Sequence, residues 1–511
     1  MTHPRNVLFI VIDQLRADCL NGAFAAHVKL PNLRALMQEA VSFENHYSVT
    51  NPCGPSRASL LTGQYAMNHR SVRNGTPLRH DTPNIATEMR KAGYLPMLWG
   101  YTDSSQDPRA HHPNDPAVRT YEHPMVGFHE MLEMRLEESL PWQSHLMEQG
   151  YRFDRYEDVY KAAPDPDGIR RINSPAIYSA EHSDTAFLTN RFLQQIPAYA
   201  KQGWFAHLTY IRPHPPLVAP TPYNRMYDPS LLPLPSRMET SEKEAGMHPF
   251  LASALQHARA ADFVEGFEDL KIDTAAIQTL RAVYLGLATE VDHHIGRVVQ
   301  FLKESGQYDN TLLVVTADHG EMLGDHHAWG KQTVFDAAYK VPLIMRLPEN
   351  EAQAGAKISH PTESIDIVPT ILDWVGQEIP NSVDGCSLRP LATGEHPRGW
   401  RKFSVSELDF ANPLSPTVWE NQLGTGPSDS CLSILRDERF TLVEFAADLP
   451  PLLFDRTSKD GEFTNVATDP QYAPELARLC RSLLRHRMQN MDHTLSLDMI
   501  TNEGPKRILR H

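Results

Sequence analysis

Hydrophobic residues follow two different periods along the chain. Short continuous apolar runs, at Asn6–Ile12, 204–211 and 311–317, predict buried strands. Between positions 277 and 302, apolar residues recur at steps of three and four, which predicts one buried stripe of a long helix. Strands and helices alternate over the first three-quarters of the chain. This pattern predicts an α/β fold with a large, mixed but mostly parallel sheet sandwiched by helices.

The pattern changes after about Pro380. Strand candidates at 403–408, Cys431–Arg436 and Phe440–Phe445 lie close together and precede a helical pattern over about 474–489. They predict a smaller antiparallel sheet with one covering helix. We therefore expect three parts: a large α/β domain over residues 1–385, a small α+β domain over 386–489, and a tail over 490–511 that contacts another copy of the chain.

Composition and charge narrow the class of protein. Of the 511 residues, 41% are hydrophobic and 22% are charged, which is typical of globular proteins and excludes a disordered or fibrous chain. No apolar run approaches the ~20 residues of a membrane span, and the first six residues lack the apolar core of a secretory signal. We therefore expect a cytoplasmic protein without a membrane partner. The net charge of −15 argues against nucleic acid as a partner, so an anionic substrate needs a local positive site.

Cys53 is the one cysteine in an unusual context. The five cysteines are scattered and form no Cys-x-x-Cys, which indicates neither a zinc ribbon nor a disulfide framework. Cys53 lies in the stretch NPCGPSRASLLTG, where Pro55 is near the first position of a predicted helix. The thiol then lies beside free backbone N–H groups, with Arg57 one turn further on. We expect an acidic, reactive thiol there, although a lone cysteine is more often a buried structural residue.

Two polar segments follow predicted strands. Asp13 follows the Asn6–Ile12 strand, and Asp318-His319-Gly320-Glu321 follows the 311–317 strand. Since open α/β sheets bind ligands at the carboxyl ends of their strands, we expect Asp13, Asp318 and His319 to meet at one edge. Two carboxylates and an imidazole can form a metal site with open positions, whereas an isolated Asp-His pair is more often a loop feature.

The Cys53 segment resembles the signature of the sulfatase family, which is part of the alkaline phosphatase superfamily. The resemblance rests on Cys-x-Pro-Ser-Arg followed by Ala-Ser-Leu-Leu-Thr-Gly. It implies an alkaline phosphatase-like fold for the large domain and oxidation of Cys53 to formylglycine by a formylglycine-generating enzyme. In that family the modifying enzyme reads Cys, Pro and Arg at this spacing, and all three are present here as Cys53, Pro55 and Arg57.

The match narrows to one branch of that family. Common arylsulfatases carry Asp-Asp after the first strand and Asp-Asn in the later motif, and hold calcium. This chain has Asp13-Gln14 and Asp318-His319, and it resembles the phosphonate monoester hydrolase branch, which also acts on phosphodiesters and sulfate monoesters. An imidazole ligand favours Mn, Fe or Zn over Ca, and the spacing does not choose among them. The resemblance implies one divalent metal ion bound by Asp13, Cys53, Asp318 and His319.

The same branch implies roles for side chains in other segments. Asp103 stands where the branch usually has threonine. A carboxylate at that position is expected to repel a doubly charged substrate and to shift the preference among anions. The implied catalytic residues are Cys53, Arg57, His214 and Lys331, and the implied substrate-binding residues are Asn74, Tyr101 and Asp103.

The resemblance also implies a mechanism. The aldehyde at position 53 hydrates, and one hydroxyl of the diol attacks sulfur or phosphorus. The metal and the side chains of Arg57, Asn74 and Lys331 neutralise the non-bridging oxygens. Either His214 or Lys331 assists the leaving oxygen. Loss of the proton from the second hydroxyl then expels sulfate or phosphonate and restores the aldehyde. A site with one metal ion and few cationic side chains suits singly charged esters, namely sulfate monoesters, phosphonate monoesters and phosphodiesters.

Two other interpretations remain open from the sequence. The chain could be a catalytically silent metal-binding protein with a sulfatase fold, or a hydrolase that uses Cys53 as an unmodified thiolate. The presence of Cys53, Arg57 and the carboxylates disfavours the silent protein, and the thiolate would need a histidine together with an asparagine or aspartate partner. By analogy with the branch, we expect a homodimer or homotetramer.

Overall fold

The computed structural model describes residues 5–348 and 353–510. Within these ranges the chain forms sixteen strands and fourteen α-helices. The strands are β1 (Asn6–Ile12), β2 (Val41–Phe43), β3 (His46–Tyr47), β4 (Pro96–Gly100), β5 (His129–Glu133), β6 (Phe205–Tyr210), β7 (Thr311–Thr316), β8 (Leu343–Arg346), β9 (Lys357–Ile358), β10 (Thr362–Glu363), β11 (Ser404–Asp409), β12 (Cys431–Arg436), β13 (Phe440–Phe445), β14 (Leu452–Asp455), β15 (Asp498–Thr501) and β16 (Gly504–Arg507). The helices are α1 (Pro31–Glu39), α2 (Cys53–Thr62), α3 (Ala66–His69), α4 (Ile85–Lys91), α5 (Leu140–Glu148), α6 (Asp184–Gln195), α7 (Ser241–Ala245), α8 (Pro249–His257), α9 (Thr274–Glu304), α10 (Asp336–Tyr339), α11 (Ile367–Val375), α12 (Arg389–Ala392), α13 (Val418–Leu423) and α14 (Ala473–Gln489).

The large sheet has eight strands in the order β5-β4-β6-β1-β7-β8-β2-β9. Strand β1 pairs in parallel with both β6 and β7, and β4 and β5 continue in the same direction. Strand β8 runs antiparallel to its neighbours β7 and β2, and β9 is parallel to β2. The prediction of a mixed, mostly parallel sheet is confirmed.

Helices cover both faces of this sheet. Side chains of β1 alternate between the two faces: Leu8 and Ile10 pack in one buried cluster and Phe9 and Val11 in another. The first cluster includes residues of α1, α6 and the long helix α9, and the second includes residues of α2, α4 and α11. Because both faces are buried, the strands are apolar at nearly every position, which explains the continuous apolar runs in the sequence.

The smaller sheet is antiparallel, in the order β11-β12-β13-β14. On one of its faces Leu435 and Leu442 pack against Leu479 and Leu483 of α14, which is the predicted covering helix. Its other face packs against the larger part of the chain, where Ile434 and Val443 share a separate buried cluster with Phe250 and Phe335. The sheet and its helix are confirmed, with β14 as a strand that the pattern does not predict. The boundaries at 385 and 489 remain predictions.

The polar tail contains a hairpin. Strands β15 and β16 pair only with each other among the described residues, and Met499 and Ile500 remain 66% and 83% exposed. The end of the tail returns to the main body, where Arg510 Nη1 lies 3.1 Å from Asp384 Oδ1. None of the helices within 5–348 and 353–510 combines the length and the apolar composition that a membrane crossing requires.

Candidate active site

The candidate site lies at the carboxyl ends of β1 and β7, near the centre of the large sheet. Because these strands pair in parallel, with Val11 opposite Thr316, both leave the sheet at the same edge. Asp13 and Asp318 therefore lie close together, and the backbone N–H of Gln14 donates to Asp318 Oδ1 at 3.1 Å. The two polar segments meet here, as their positions after the strands predict.

Helix α2 begins at Cys53 and directs its N-terminus to the same edge. Ser56 Oγ donates to the backbone carbonyl of Asp318 at 2.6 Å, which ties the first turn of the helix to the end of β7. The N–H of Gly54 donates to Asn74 Oδ1 at 2.9 Å. A Cβ at Gly54 would lie only 3.0 Å from that oxygen, so glycine allows the close approach of the two loops.

Four buried residues direct potential ligand atoms to one point. The ligand atoms of Asp13, Cys53, Asp318 and His319 all lie within 4.8 Å of one another. Asp13 Oδ1 accepts no hydrogen bond from any described residue, and Asp318 Oδ2 has only an ion pair with Arg57 Nε at 3.1 Å. Buried carboxylate oxygens without donors are costly unless a cation neutralises them. The group therefore fits a divalent cation held by these four residues.

His319 is oriented as a ligand through its other nitrogen. Nδ1 lies 3.0 Å from the carbonyl oxygen of Gly320, which makes Nδ1 the donor. Nε2 therefore presents a lone pair and lies 3.2 Å from Cys53 Sγ. Burial lowers the pKa of His319 well below its usual value, and the charge of Lys331 lowers it further. The ring is thus neutral, which is the form that binds metal ions.

Arg57 is enclosed by anionic partners. Its Nη2 lies 2.9 Å from Asp13 Oδ2, and its Nε lies 3.1 Å from Asp318 Oδ2 and 3.3 Å from Asp103 Oδ2. The Tyr101 ring covers the guanidinium at 4.2 Å, and its hydroxyl accepts from Arg57 and donates to Asp13. Tyr101 therefore holds Arg57 against Asp13 and fixes the orientation of the Arg57 guanidinium.

Lys331 brings a second positive charge to Cys53. Its Nζ lies 3.1 Å from Cys53 Sγ and donates to Gln14 Oε1 at 2.8 Å. Burial opposes the charged form, but Cys53, Asp13 and Asp318 raise the pKa of Lys331 above its ordinary value. Lys331 is therefore an ammonium group that points at residue 53.

His214 lies beside Lys331, with Nε2 3.3 Å from Lys331 Nζ. Its Nδ1 lies 2.6 Å from the carbonyl oxygen of Pro215, so Nδ1 carries the proton. Burial and the charge of Lys331 lower the pKa of His214 to about 4, and the ring is neutral near pH 7. In this pair Lys331 is the donor and His214 the acceptor.

The expectation of an acidic Cys53 thiol is wrong. Burial raises the pKa of Cys53 well above its usual value, the Lys331 ammonium lowers it, and the carboxylates around the thiol raise it again. Removal from water and three nearby anions outweigh the N-terminus of α2. In a formylglycine form of the chain, the Sγ position is that of the aldehyde oxygen or of a hydroxyl of its hydrate.

Asp103 and Asn74 lie on loops beside Cys53. Asp103 is buried with a φ of +47°, and its Oδ1 accepts no hydrogen bond within the described part of the chain. Burial raises the pKa of Asp103, and Arg57 opposes the rise. Asn74 is exposed and meets the site through its contact with Gly54. All ten residues named from the sequence thus belong to one network of contacts.

Glu321 belongs to the same network, although the sequence assigns it no role. It is fully buried, and it accepts hydrogen bonds from the side chain of Gln14 and from the backbone N–H groups of Leu323 and Gly330. The only sequence signal is its place four residues after Ala317 in the strand-end motif. A sequence does not distinguish a buried glutamate there from an exposed one.

Comparisons with known proteins identify the family of the chain. Residues 5–377 match the family model Sulfatase. The multifunctional alkaline phosphatase superfamily protein PehA of Trinickia caryophylli is 37% identical over 96% of this chain and 97% of its own length. The structure of the phosphonate monoester hydrolase SpPMH from Silicibacter pomeroyi superposes with a TM-score of 0.98 at 68% identity, covering 99% of this chain and 100% of that one. The phosphonate monoester hydrolase of Agrobacterium radiobacter has a TM-score of 0.92 at 38% identity, with 99% of each chain covered. With the Cys53 segment and the strand-end carboxylates in one site, the chain belongs to the sulfatase family.

Proposed function

We propose that the chain hydrolyses singly charged esters, namely sulfate monoesters, phosphonate monoesters and phosphodiesters. The observation that carries the proposal is the position of Cys53 Sγ, which lies 3.2 Å from His319 Nε2 and 3.1 Å from Lys331 Nζ at the N-terminus of α2. A nucleophile at this point would lie beside both a cation site and a proton donor. The names of the two phosphonate monoester hydrolases support phosphonate monoesters as one of these substrates.

The proposed cofactors are one divalent metal ion and a formylglycine at position 53. Asp13, Asp318, His319 and residue 53 would hold the ion, and this set of donors favours Mn, Fe or Zn over Ca. When bound, the ion supplies positive charge and lowers the pKa of a hydroxyl group, and the formylglycine hydrate supplies that hydroxyl. Conversion of Cys53 requires a formylglycine-generating enzyme as partner. The cytoplasmic location stays a prediction.

The other site residues bind, orient and supply protons. Arg57, held by Tyr101, directs its guanidinium to the ester oxygens beside Asp13. Lys331 brings a proton within 3.1 Å of residue 53, and in this proposal it donates that proton to the leaving oxygen. His214 is neutral and accepts from Lys331, which keeps the ammonium directed into the site. Of the two proton donors that the sequence allows, these contacts favour Lys331.

The charge of the site supports a singly charged substrate. Asp13, Asp103 and Asp318 carry three negative charges when ionised, and Arg57 and Lys331 carry two positive ones. A divalent ion added to this balance of −1 leaves a net charge of about +1. Such a site neutralises a monoanionic ester more completely than a dianionic phosphate monoester.

The experiment that tests the proposal compares four aryl esters on the metal-loaded, converted protein. We expect higher kcat/KM for an aryl sulfate, a phenyl phosphonate monoester and a bis-aryl phosphate than for an aryl phosphate monoester. Equal or greater activity on the phosphate monoester would show that the site is built for dianions. Asp103→Thr removes a carboxyl group whose ionised form repels a dianion, and it is expected to raise the relative kcat/KM for the phosphate monoester by at least about tenfold. Asp103→Asn, which keeps the shape, should do the same, whereas Asp103→Glu should not.

A homodimer or homotetramer is also proposed, formed through an apolar surface near the C-terminus. Leu484, Met488 and Met491 recur at steps of three and four along α14 and beyond its end, and each is more than 60% exposed. Exposed apolar side chains of this size in one stripe are typical of a surface that another subunit covers. The hairpin β15–β16 adds Met499 and Ile500, and two isolated strands are marginally stable unless they are covered.

Light scattering after gel filtration tests this assembly. We expect a mass of two or four times the 57.7 kDa chain for the natural sequence. Replacing Leu484 and Met488 together with glutamate should produce a monomer, because charges cannot be buried in an apolar contact without partners. Leu414→Glu is the matched control, since Leu414 is 95% exposed and lies outside this surface. A monomeric natural protein would contradict the proposal, as would an assembled double variant.

A further inference from the structure

A buried carboxylate connects three segments behind the proposed nucleophile. Glu321 Oε1 accepts from the backbone N–H groups of Leu323 and Gly330 at 3.0 and 2.7 Å, and Oε2 accepts from Gln14 Nε2. The side chain is 0% exposed, so protein donors take the place of water around both oxygens. These three hydrogen bonds join the end of β1, the end of β7 and the loop that carries Lys331.

The Gln14 amide has one favourable orientation in this arrangement. Its Nε2 faces Glu321, which as a carboxylate only accepts, and its Oε1 faces Lys331 Nζ at 2.8 Å, which only donates. The two ends of an amide have nearly the same shape, so the partners decide which end faces Lys331. A rotation of 180° would set donor against donor at Lys331 and acceptor against acceptor at Glu321.

A second connection runs through the backbone. Gly330 immediately precedes Lys331, and its N–H donates to Glu321 while its carbonyl accepts from the N–H of Met322 at 2.9 Å. Gly330 has a φ of +77°, a conformation in which glycine carries no penalty. Glu321 therefore fixes the backbone directly before Lys331, and it also fixes the Gln14 amide to which the Lys331 ammonium donates.

The geometry points to Glu321 as a positioning residue that places the Lys331 ammonium against residue 53, acting through the Gln14 amide and the Gly330 backbone. This inference rests on the proposed function, in which Lys331 donates a proton to the leaving oxygen. A point charge on a flexible four-carbon side chain has many positions of similar energy, and a fixed acceptor selects one of them. The Glu321 carboxylate thus restricts the Lys331 ammonium to one position.

Glu321→Gln is the sharpest test because it preserves shape and volume. The amide oxygen of the new side chain can keep both backbone hydrogen bonds, while its nitrogen donates where the carboxylate accepted. The Gln14 amide then rotates to accept, and it turns its own Nε2 toward the Lys331 ammonium. We expect kcat to fall about 10- to 100-fold with the melting temperature close to that of the natural protein. KM should change by no more than about twofold, since ester binding by Arg57 is unaffected.

The leaving group separates positioning from a general structural defect. Poor leaving groups depend more on proton donation than good ones, so the loss should be larger for phenyl than for 4-nitrophenyl esters. A structural defect would lower both rates by the same factor. Adding Gln14→Glu to Glu321→Gln restores an acceptor for both neighbours and should recover part of the activity on phenyl esters. Glu88→Gln is the matched control, because Glu88 is a buried glutamate whose carboxylate contacts Lys91 and Thr87 on α4.

The outcomes distinguish this inference from the proposed function. If the natural protein hydrolyses none of the four ester classes, the proposed function is wrong and the inference falls with it. If the natural protein is active and Glu321→Gln shows no loss, or the same loss for both leaving groups, only the inference is overturned. Should Glu321→Gln fail to fold, Gln14→Met removes the acceptor of Lys331 and leaves both backbone bonds to Glu321 in place. It should show the same dependence on the leaving group, and an equal loss for both esters would contradict the inference.

Discussion

Replacing Cys53 with alanine is expected to lower kcat/KM for every accepted ester by about 10⁴-fold or more. The proposed nucleophile is a hydroxyl of the formylglycine hydrate at position 53, and alanine offers neither an aldehyde nor a thiol from which to make one. Cys53 is 6% exposed, so the truncation removes one buried atom and should leave the fold intact. Activity and the melting temperature of the variant, produced together with a formylglycine-generating enzyme, are the measurements.

The mass of the Cys53-containing peptide from the natural protein completes this test. A mass that corresponds to aldehyde in place of thiol, together with lost activity in the variant, would support the formylglycine mechanism. Cys386→Ala is the control, since Cys386 is exposed and outside the site. An unmodified thiol in protein that still hydrolyses esters would favour the thiolate interpretation, despite the raised pKa of Cys53. A converted aldehyde without turnover of any ester would favour the catalytically silent protein.

Asp318→Asn is expected to remove the metal ion and to lower kcat/KM by about 10³-fold or more. In the natural protein Asp318 Oδ1 accepts from the backbone N–H groups of Gln14 and His319, at 3.1 and 2.9 Å. Asparagine can keep these two bonds through its own oxygen. Its amide nitrogen then occupies the position of Oδ2, which in the natural protein lies 3.1 Å from Arg57 Nε, and an amide NH₂ group neither binds a metal ion nor pairs with a guanidinium. The substitution therefore removes a metal ligand and also the ion pair between Asp318 and Arg57, so the melting temperature is measured beside the metal content.

Metal content measured by elemental analysis checks this prediction. The natural protein should carry about one divalent ion per chain, and the same measurement identifies it as Mn, Fe, Zn or Ca. Asp292→Asn is a suitable control, because Asp292 is equally buried but bonds to Asn32 and Leu33 at the start of α1. We expect this control to keep its ion even if it is less stable. Full metal content and activity in Asp318→Asn would show that the ion, if any, binds elsewhere.

The elements of the fold follow closely from local patterns. The limits of β1, β12 and β13 coincide with the apolar runs that predict them, and α9 extends the predicted helical stripe by only a few residues at each end. Strands buried on both faces and a long amphipathic helix have strong periodic signals. The short strands β2, β9 and β10 have too few residues for any period, and only pairing with distant segments defines them.

The chemical groups that meet in the site follow from local features of the sequence. The Cys53 segment is contiguous, and Asp13, Asp318 and His319 stand directly after strands whose parallel pairing brings them together. Both signals depend on residues near one another in the chain or on a general rule for parallel sheets. The Cys53 segment and the residues that follow the strands can therefore be predicted without the tertiary structure.

The protonation states and hydrogen-bond directions of those groups depend on the tertiary structure. Burial and nearby carboxylates reverse the expected acidity of Cys53, and the neutral state of His214 depends on Lys331, which is more than a hundred residues away in the chain. The role inferred for Glu321 likewise depends on its burial against Gln14. Solvent exclusion and contacts between distant segments set the pKa values and the direction of each hydrogen bond, and neither is encoded in any local pattern of residues.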